Sequence, residues 1–302
     1  MYLTGFADEA AIGIDGQITA TKKLGWKHIE SRNIDDKNIH NLSNEAFEVV
    51  AEKLKEAGIK INCFGSAVAN WGKAIDGPFD SSLEEARRAI PRMKHLGTKL
   101  IRIMSFAVLK DRPADDQMEE ERFKRVRVLC KMFADEGLIP VHENCMNYGG
   151  MGWEYTLRLI EAVPELKLAF DTGNPGLDTP NSPRQSSWEF YLHVKEHIAY
   201  IHIKDMVWNH EKNEAVYVFP GEGDREVKRI LKDLLVSGYD GGISIEPHMK
   251  VVFHDDSVQA QAQARLDNYV EYGHRMERLI KEIRIQQSEC SGTCVTRPSA
   301  GL

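Results

Sequence analysis

Residues 120–144, EERFKRVRVLCKMFADEGLIPVHEN, hold the pattern that decides the fold. An amphipathic stretch runs into Gly137, and the short apolar run Leu138–Val141 follows it and ends on His142-Glu143-Asn144. Glycine accepts the left-handed conformation that closes a helix, so Gly137 marks a helix-to-strand junction. The unit is helix, glycine, strand, polar strand end.

The same unit recurs in both directions along the chain. Strands are expected to begin near Tyr2, His28, Lys60, Lys99, Leu138, Leu166, Ile198 and Gly242. Helical stretches lie between them, such as NEAFEVVAEKLKEAG (44–58) and SLEEARRAIPRMKHLG (82–97), and Gly25, Gly58, Gly97 and Gly238 repeat the punctuation of Gly137. A last helix is expected from about Ser257 to Glu282. Eight strand–helix units in succession predict an α/β chain folded as one (β/α)8 TIM barrel over 1–285, with 286–302 as a flexible C-terminal tail. An open doubly wound sheet would carry a Gly-rich phosphate loop after its first strand; GFADEA (5–10) is not one.

Composition narrows the function. The 302 residues are 42% hydrophobic and 28% charged, enough apolar material for one large core. A formal net charge of −7 argues against a nucleic-acid partner, which needs a concentrated positive surface. No apolar run reaches membrane-spanning length, and MYLTGFADEA lacks the pattern of a secretory signal, so a cytoplasmic enzyme without membrane partners is expected. The cysteines at 63, 130, 145, 290 and 294 are odd in number and scattered, giving no disulfide framework. Cys290 and Cys294 are read as part of the tail.

Active sites of such barrels sit at the C-terminal ends of the strands. Strand five ends in Glu143, strand six in Asp171, strand seven carries His202, and strand eight ends in Glu246. Four consecutive strands thus bring carboxylate, carboxylate, imidazole and carboxylate toward one rim. Converging carboxylates raise one another's pKa, and a divalent cation removes that penalty. Oxygen donors with a single nitrogen suit Mn²⁺ first, with Mg²⁺ or Co²⁺ as alternatives.

Four segments, HEN (142–144), FDTGN (170–174), HIKD (202–205) and IEP (245–247), resemble the xylose-isomerase-like barrel superfamily, over essentially 1–282. The resemblance implies that Glu143, Asp171, His202 and Glu246 hold one divalent metal. It also implies a carbohydrate substrate, and a homo-oligomer or a pairing with a small β-rich subunit. Within that superfamily, ketose 3-epimerases usually carry His where Asn174 stands, and Gly-Glu after the metal His where Lys204-Asp205 stands. Those departures look more like inosose dehydratases and related lyases. The nuclease branch uses more His ligands and a basic surface, which this chain lacks.

Proton abstraction beside the carbonyl of a sugar or oxidised sugar is the expected chemistry, giving an enediolate. Returning the proton isomerises or epimerises; expelling a group β to the carbonyl eliminates it, as in cleavage of a 3-oxo-glycoside of the C-glycoside-deglycosidase type. Glu143 and Glu246 are the expected acid–base pair, with His142 and Lys204 as further catalytic candidates. Asn144, Asn174 and His248 are candidates for substrate contact, and Trp71, Trp208 and Phe6 for the pocket wall. GEGDREV (221–227) is expected to shape the rim, with a phosphate cradle as the weaker reading. A non-enzymatic sugar-binding or assembly subunit is the rival class, and it predicts no deuterium uptake from solvent at the substrate's α-carbon.

Overall fold

The structure, a computed structural model, describes residues 1–177, 184–249 and 258–292. Eight parallel strands form the barrel wall: β1 (Tyr2–Gly5), β2 (His28–Ser31), β3 (Lys60–Gly65), β4 (Leu100–Ile103), β5 (Ile139–Glu143), β6 (Lys167–Asp171), β7 (Ile198–Ile203) and β8 (Gly242–Ile245). Each strand pairs with its sequence neighbour from β2 round to β8, and β8 pairs with β1. A single parallel bridge between Phe6 and Glu30 joins β1 to β2, so the barrel is nearly closed. The helices between the strands are α1 (Ile14–Lys23), α2 (Asn44–Ala57), α3 (Asp80–Leu96), α4 (Glu119–Ala134), α5 (Trp153–Ala162), α6 (Ser187–Val194) and α7 (Val227–Val236), with α8 (Val258–Gly292) after β8.

Local chemistry explains the boundaries. Gly25, Gly58, Gly97, Gly137 and Gly238 all have φ between 67° and 85°, the region in which a side chain is strained and glycine is not. Ser43 starts α2 by accepting the Ala46 N–H at 3.1 Å, and Ser186 does the same for Glu189 ahead of α6. The last helix runs past the expected Glu282 to Gly292, so residues 286–292 of the expected tail are helical. Cys290 falls in this helix, while Cys294 lies outside the described residues. Among the described residues no helix is long and apolar enough to cross a membrane.

Side chains alternate along a strand, and this alternation builds the site in layers. Glu143, Asp171 and His202 face inward at the C-terminal end. Two residues back on the same strands, Val141, Ala169 and Tyr200 form a fully buried cluster with Cys63. The larger apolar core lies between the barrel wall and the helices. Two antiparallel hairpins interrupt the repeat: Asn33–Ile34 with Lys37–Asn38 after β2, and Asp205–Asn209 with Glu214–Val218 after β7.

Candidate metal centre

Register sets the four expected ligands side by side. Asp171 is the ladder partner of His202, and the Glu246 N–H bonds to the Ile203 carbonyl at 3.0 Å. One donor atom each from Glu143, Asp171, His202 and Glu246 lies within 4.8 Å of all the others. All four residues are buried, with exposures of 3% or less.

Each side chain has one donor tied down and one turned to the common centre. Glu143 Oε2 accepts from Arg102 Nη1 at 2.8 Å. Glu246 Oε1 faces Arg32 Nη1 at 3.4 Å and His248 Nε2 at 3.3 Å. Asp171 Oδ1 accepts the N–H groups of Gly173 and Asn174, both at 2.8 Å. Imidazole Nε2 of His202 lies 3.0 Å from Glu30 Oε2, while its Nδ1 faces Glu143 Oε1 at 3.6 Å and Glu246 Oε2 at 3.7 Å. Asp171 Oδ2 is ion-paired with the Lys204 ammonium, while His202 Nδ1 makes no hydrogen bond. Buried polar atoms are rarely left so, and an oxygen and an imidazole nitrogen aimed at one point suit a hard or borderline divalent cation. The donor set fits a divalent metal.

The chain also supplies its own positive charge, which the sequence reading did not foresee. Arg102 and Lys204 are buried beside the ligands, and the Lys204 ammonium lies 3.0 Å from Asp171 Oδ2 and 3.4 Å from Glu246 Oε2. Burial works against ionisation of Glu143, but Arg102 and His202 outweigh it and hold its pKa near 2. Burial also opposes the charge on Glu246, yet Lys204, His248, His202 and Arg32 together push its pKa well down. Asp171 goes the other way: burial raises its pKa, and Lys204 only partly offsets this. A cation is thus not the sole relief of carboxylate repulsion here. Phe6, fully buried, supports both arginines, whose guanidinium carbons lie 4.5 Å (Arg32) and 5.2 Å (Arg102) from its ring centre.

Several candidates take other places. His142 is fully buried on the opposite face of β5 from Glu143, with Nε2 3.0 Å from Ser105 Oγ and 2.9 Å from Asn147 Oδ1. Its ring packs so tightly on Gly149 that a Cβ there would sit 2.3 Å from His142 Cε1. Strand alternation therefore holds to the end of β5, and His142 is not beside the ligands. Burial keeps its imidazole neutral, with a pKa near 4. Asn144 uses its side chain on the backbone of Asp171, accepting its N–H at 2.7 Å and donating to its carbonyl at 3.0 Å. Asn174 Nδ2 donates to Glu143 Oε1 at 3.3 Å. Both asparagines brace the ligands. His248, at φ 50°, is held by Glu9, which accepts its N–H at 2.7 Å and lies 2.8 Å from its Nδ1.

The aromatic candidates divide. Phe6 meets the His202 ring edge-on at 5.1 Å and so belongs to the site. Trp208 stacks on Arg184 in the hairpin after β7, and Trp71 is 44% exposed in the loop after β3. In the 221–227 segment, Asp205 Oδ2 accepts the N–H groups of Gly221 and Gly223 at 2.8 and 3.1 Å, and Asp205 Oδ1 that of Arg225 at 3.3 Å. Asp205 fills the cradle that a phosphate would need, which overturns the weaker reading of that segment. Sequence reasoning missed Glu30, Arg32 and Arg102. The available signal for Glu30 and Arg102 was a charged residue inside a strand, in HIES (28–31) and KLIRIMS (99–105); Arg32 directly follows the first.

A family model described as a xylose isomerase-like TIM barrel matches residues 18–269. Among solved structures, the chain is similar to a xylose isomerase-like TIM barrel protein from Mycobacterium smegmatis in complex with magnesium. The two are 16% identical with a TM-score of 0.65, over 90% of this chain and 97% of that one. It is also similar to a 3-keto-D-glucoside 4-epimerase from E. coli, solved in its apo form (17% identity, TM-score 0.62, 90% and 98% coverage). A third likeness is to a probable 3-DHS dehydratase from Bacillus anthracis involved in petrobactin synthesis (16% identity, TM-score 0.63, 89% and 97% coverage). At these identities the likeness shows the fold alone. No curated protein matches the sequence closely enough to be reported as a relative.

Proposed function

Because the chain belongs to the xylose isomerase-like TIM-barrel family, we propose that it is a divalent-metal-dependent enzyme that moves a proton next to a carbonyl of a sugar or oxidised sugar. The observation that carries this reading is the convergence of Glu143, Asp171, His202 and Glu246, with His202 Nδ1 left without a hydrogen bond in the interior. These four residues would hold the ion, with Mn²⁺ preferred. When bound, it supplies Lewis-acid polarisation of the carbonyl, which acidifies the adjacent C–H.

The rest is the work of side chains. Glu143 and Glu246 both face His202 Nδ1, each gripped through one oxygen by an arginine. The oxygen of one that faces His202 takes the substrate proton and can hand it on to the neighbouring carbon. Delivery to the other face is the task of its counterpart, once that carboxylate has taken up a proton from solvent. Arg102 keeps Glu143 ionised and so ready as the base. Asn144 and Asn174 hold Asp171 and Glu143 in place, so little reorganisation accompanies the reaction.

Elimination from a 3-oxo-glycoside is the second reading, and the position of Lys204 favours it. A buried ammonium beside Glu246 can stabilise an oxygen that departs with its bonding electrons. Incubating the Mn²⁺-loaded protein with simple ketoses and with a 3-oxo-glucoside separates the two. Ketose interconversion supports isomerisation or epimerisation; aglycone release without it supports the lyase. Failure to exchange the α-proton of any such substrate with D₂O would contradict both.

A further inference from the structure

Glu30 lies at the end of β2, fully buried, on the far side of His202 from the converging donors. The β2–β3 register shifts between Ile29 and Glu30, and the Phe6–Glu30 bridge closes the barrel at this residue. Two donors converge on its carboxylate. His202 Nε2 lies 3.1 Å from Oε1 and 3.0 Å from Oε2, and Ser244 Oγ donates to Oε2 at 2.6 Å. Two further rings fix the plane of the imidazole: Phe6 at 5.1 Å and Tyr200 at 5.5 Å, both edge-on.

From this arrangement we infer that Glu30 is a positioning residue, which selects Nδ1 of His202 as the metal donor. The inference rests on the metal reading given above. An imidazole that donates its Nε2–H to a carboxylate presents an unprotonated, more basic Nδ1. Here that atom faces Glu143 Oε1 and Glu246 Oε2, and it has no hydrogen-bond partner of its own. Ser244 holds the carboxylate from below, two residues before the ligand Glu246 on the same inward face of β8. The barrel seam between β1 and β2 is thereby tied to the metal ligands through one hydrogen-bonded line, Ser244–Glu30–His202.

A purely structural Glu30 would move stability without singling out metal affinity. MnCl₂ should therefore be titrated calorimetrically into chelator-treated wild type, Glu30→Gln and Ser244→Ala, with the metal-free melting temperature of each recorded in parallel. Glu30→Gln is expected to bind Mn²⁺ about 10–100-fold more weakly, with a metal-free melting temperature close to wild type. Ser244→Ala is expected to lose only a few-fold. Wild-type affinity in Glu30→Gln would overturn the inference, as would a loss no larger than that of Ser244→Ala. If Glu30→Gln does not fold, Glu30→Asp, which withdraws the carboxylate by one methylene, is judged by the same outcomes. A wild type that binds no Mn²⁺ would instead overturn the metal reading itself.

Discussion

Arg102 Nη1 lies 2.8 Å from Glu143 Oε2, and both side chains are at most 5% exposed. Removing one partner of a buried ion pair leaves the other charge uncompensated, which typically costs about 3–5 kcal/mol. Arg102→Leu is therefore expected to lower the melting temperature by many degrees in the metal-free protein. Saturating Mn²⁺ should restore part of the loss, because a cation then faces the stranded carboxylate. A melting temperature equal to wild type in chelator would contradict the pairing.

Glu143→Gln and Glu246→Gln remove the proposed acid–base groups while keeping their shape. Each is expected to reduce kcat on an accepted keto-sugar by about 10²–10⁴-fold, with circular dichroism unchanged. Wild-type turnover in either variant would remove that glutamate from the mechanism.

The four converging residues were legible in the sequence because a polar group at or near a strand end, four times in succession, is visible without knowing the fold. The residues that brace them were not. Glu30 touches His202 across 172 residues of chain, and Arg102 sits inside the apolar run of β4, where it reads as an ordinary strand residue. His142 shows the limit of local pattern: alternation alone placed it correctly on the outer face, and proximity to Glu143 made it look catalytic. The hairpin after β7 escaped because HIKD reads as a strand end, while the chain turns straight into a second strand at Asp205.

Asp205 offers a prediction of its own. Its carboxylate accepts three backbone N–H groups of the 221–225 loop. Asp205→Ala strands these donors and is expected to destabilise the fold by roughly 1–3 kcal/mol, read from urea unfolding at neutral pH. A change below about 0.5 kcal/mol would show that water replaces the carboxylate without cost.

Acid sensitivity should trace in part to His40. Burial, aided by Arg88, Lys73 and Arg92, lowers its pKa from 6.5 to about 3; Glu85 faces it at 3.9 Å. The folded imidazole thus stays neutral where the unfolded chain takes up a proton. Stability from this group is complete above about pH 6.5 and is lost on acidification, by roughly 1.4 kcal/mol per pH unit, until the folded pKa is reached. Between pH 7 and pH 4.5, wild type is expected to lose roughly 2–3 kcal/mol more than His40→Leu. Parallel pH profiles for the two proteins would contradict this assignment.

Metal stoichiometry tests the central claim most directly. Wild type, Asp171→Asn and the double variant Glu143→Gln/Glu246→Gln would be equilibrated with Mn²⁺, passed through a desalting column and analysed by inductively coupled plasma mass spectrometry. Wild type is expected to retain about one equivalent per chain, while the variants retain little. A wild type that retains no metal, or a double variant that retains as much as wild type, would contradict a metal centre built from Glu143, Asp171, His202 and Glu246.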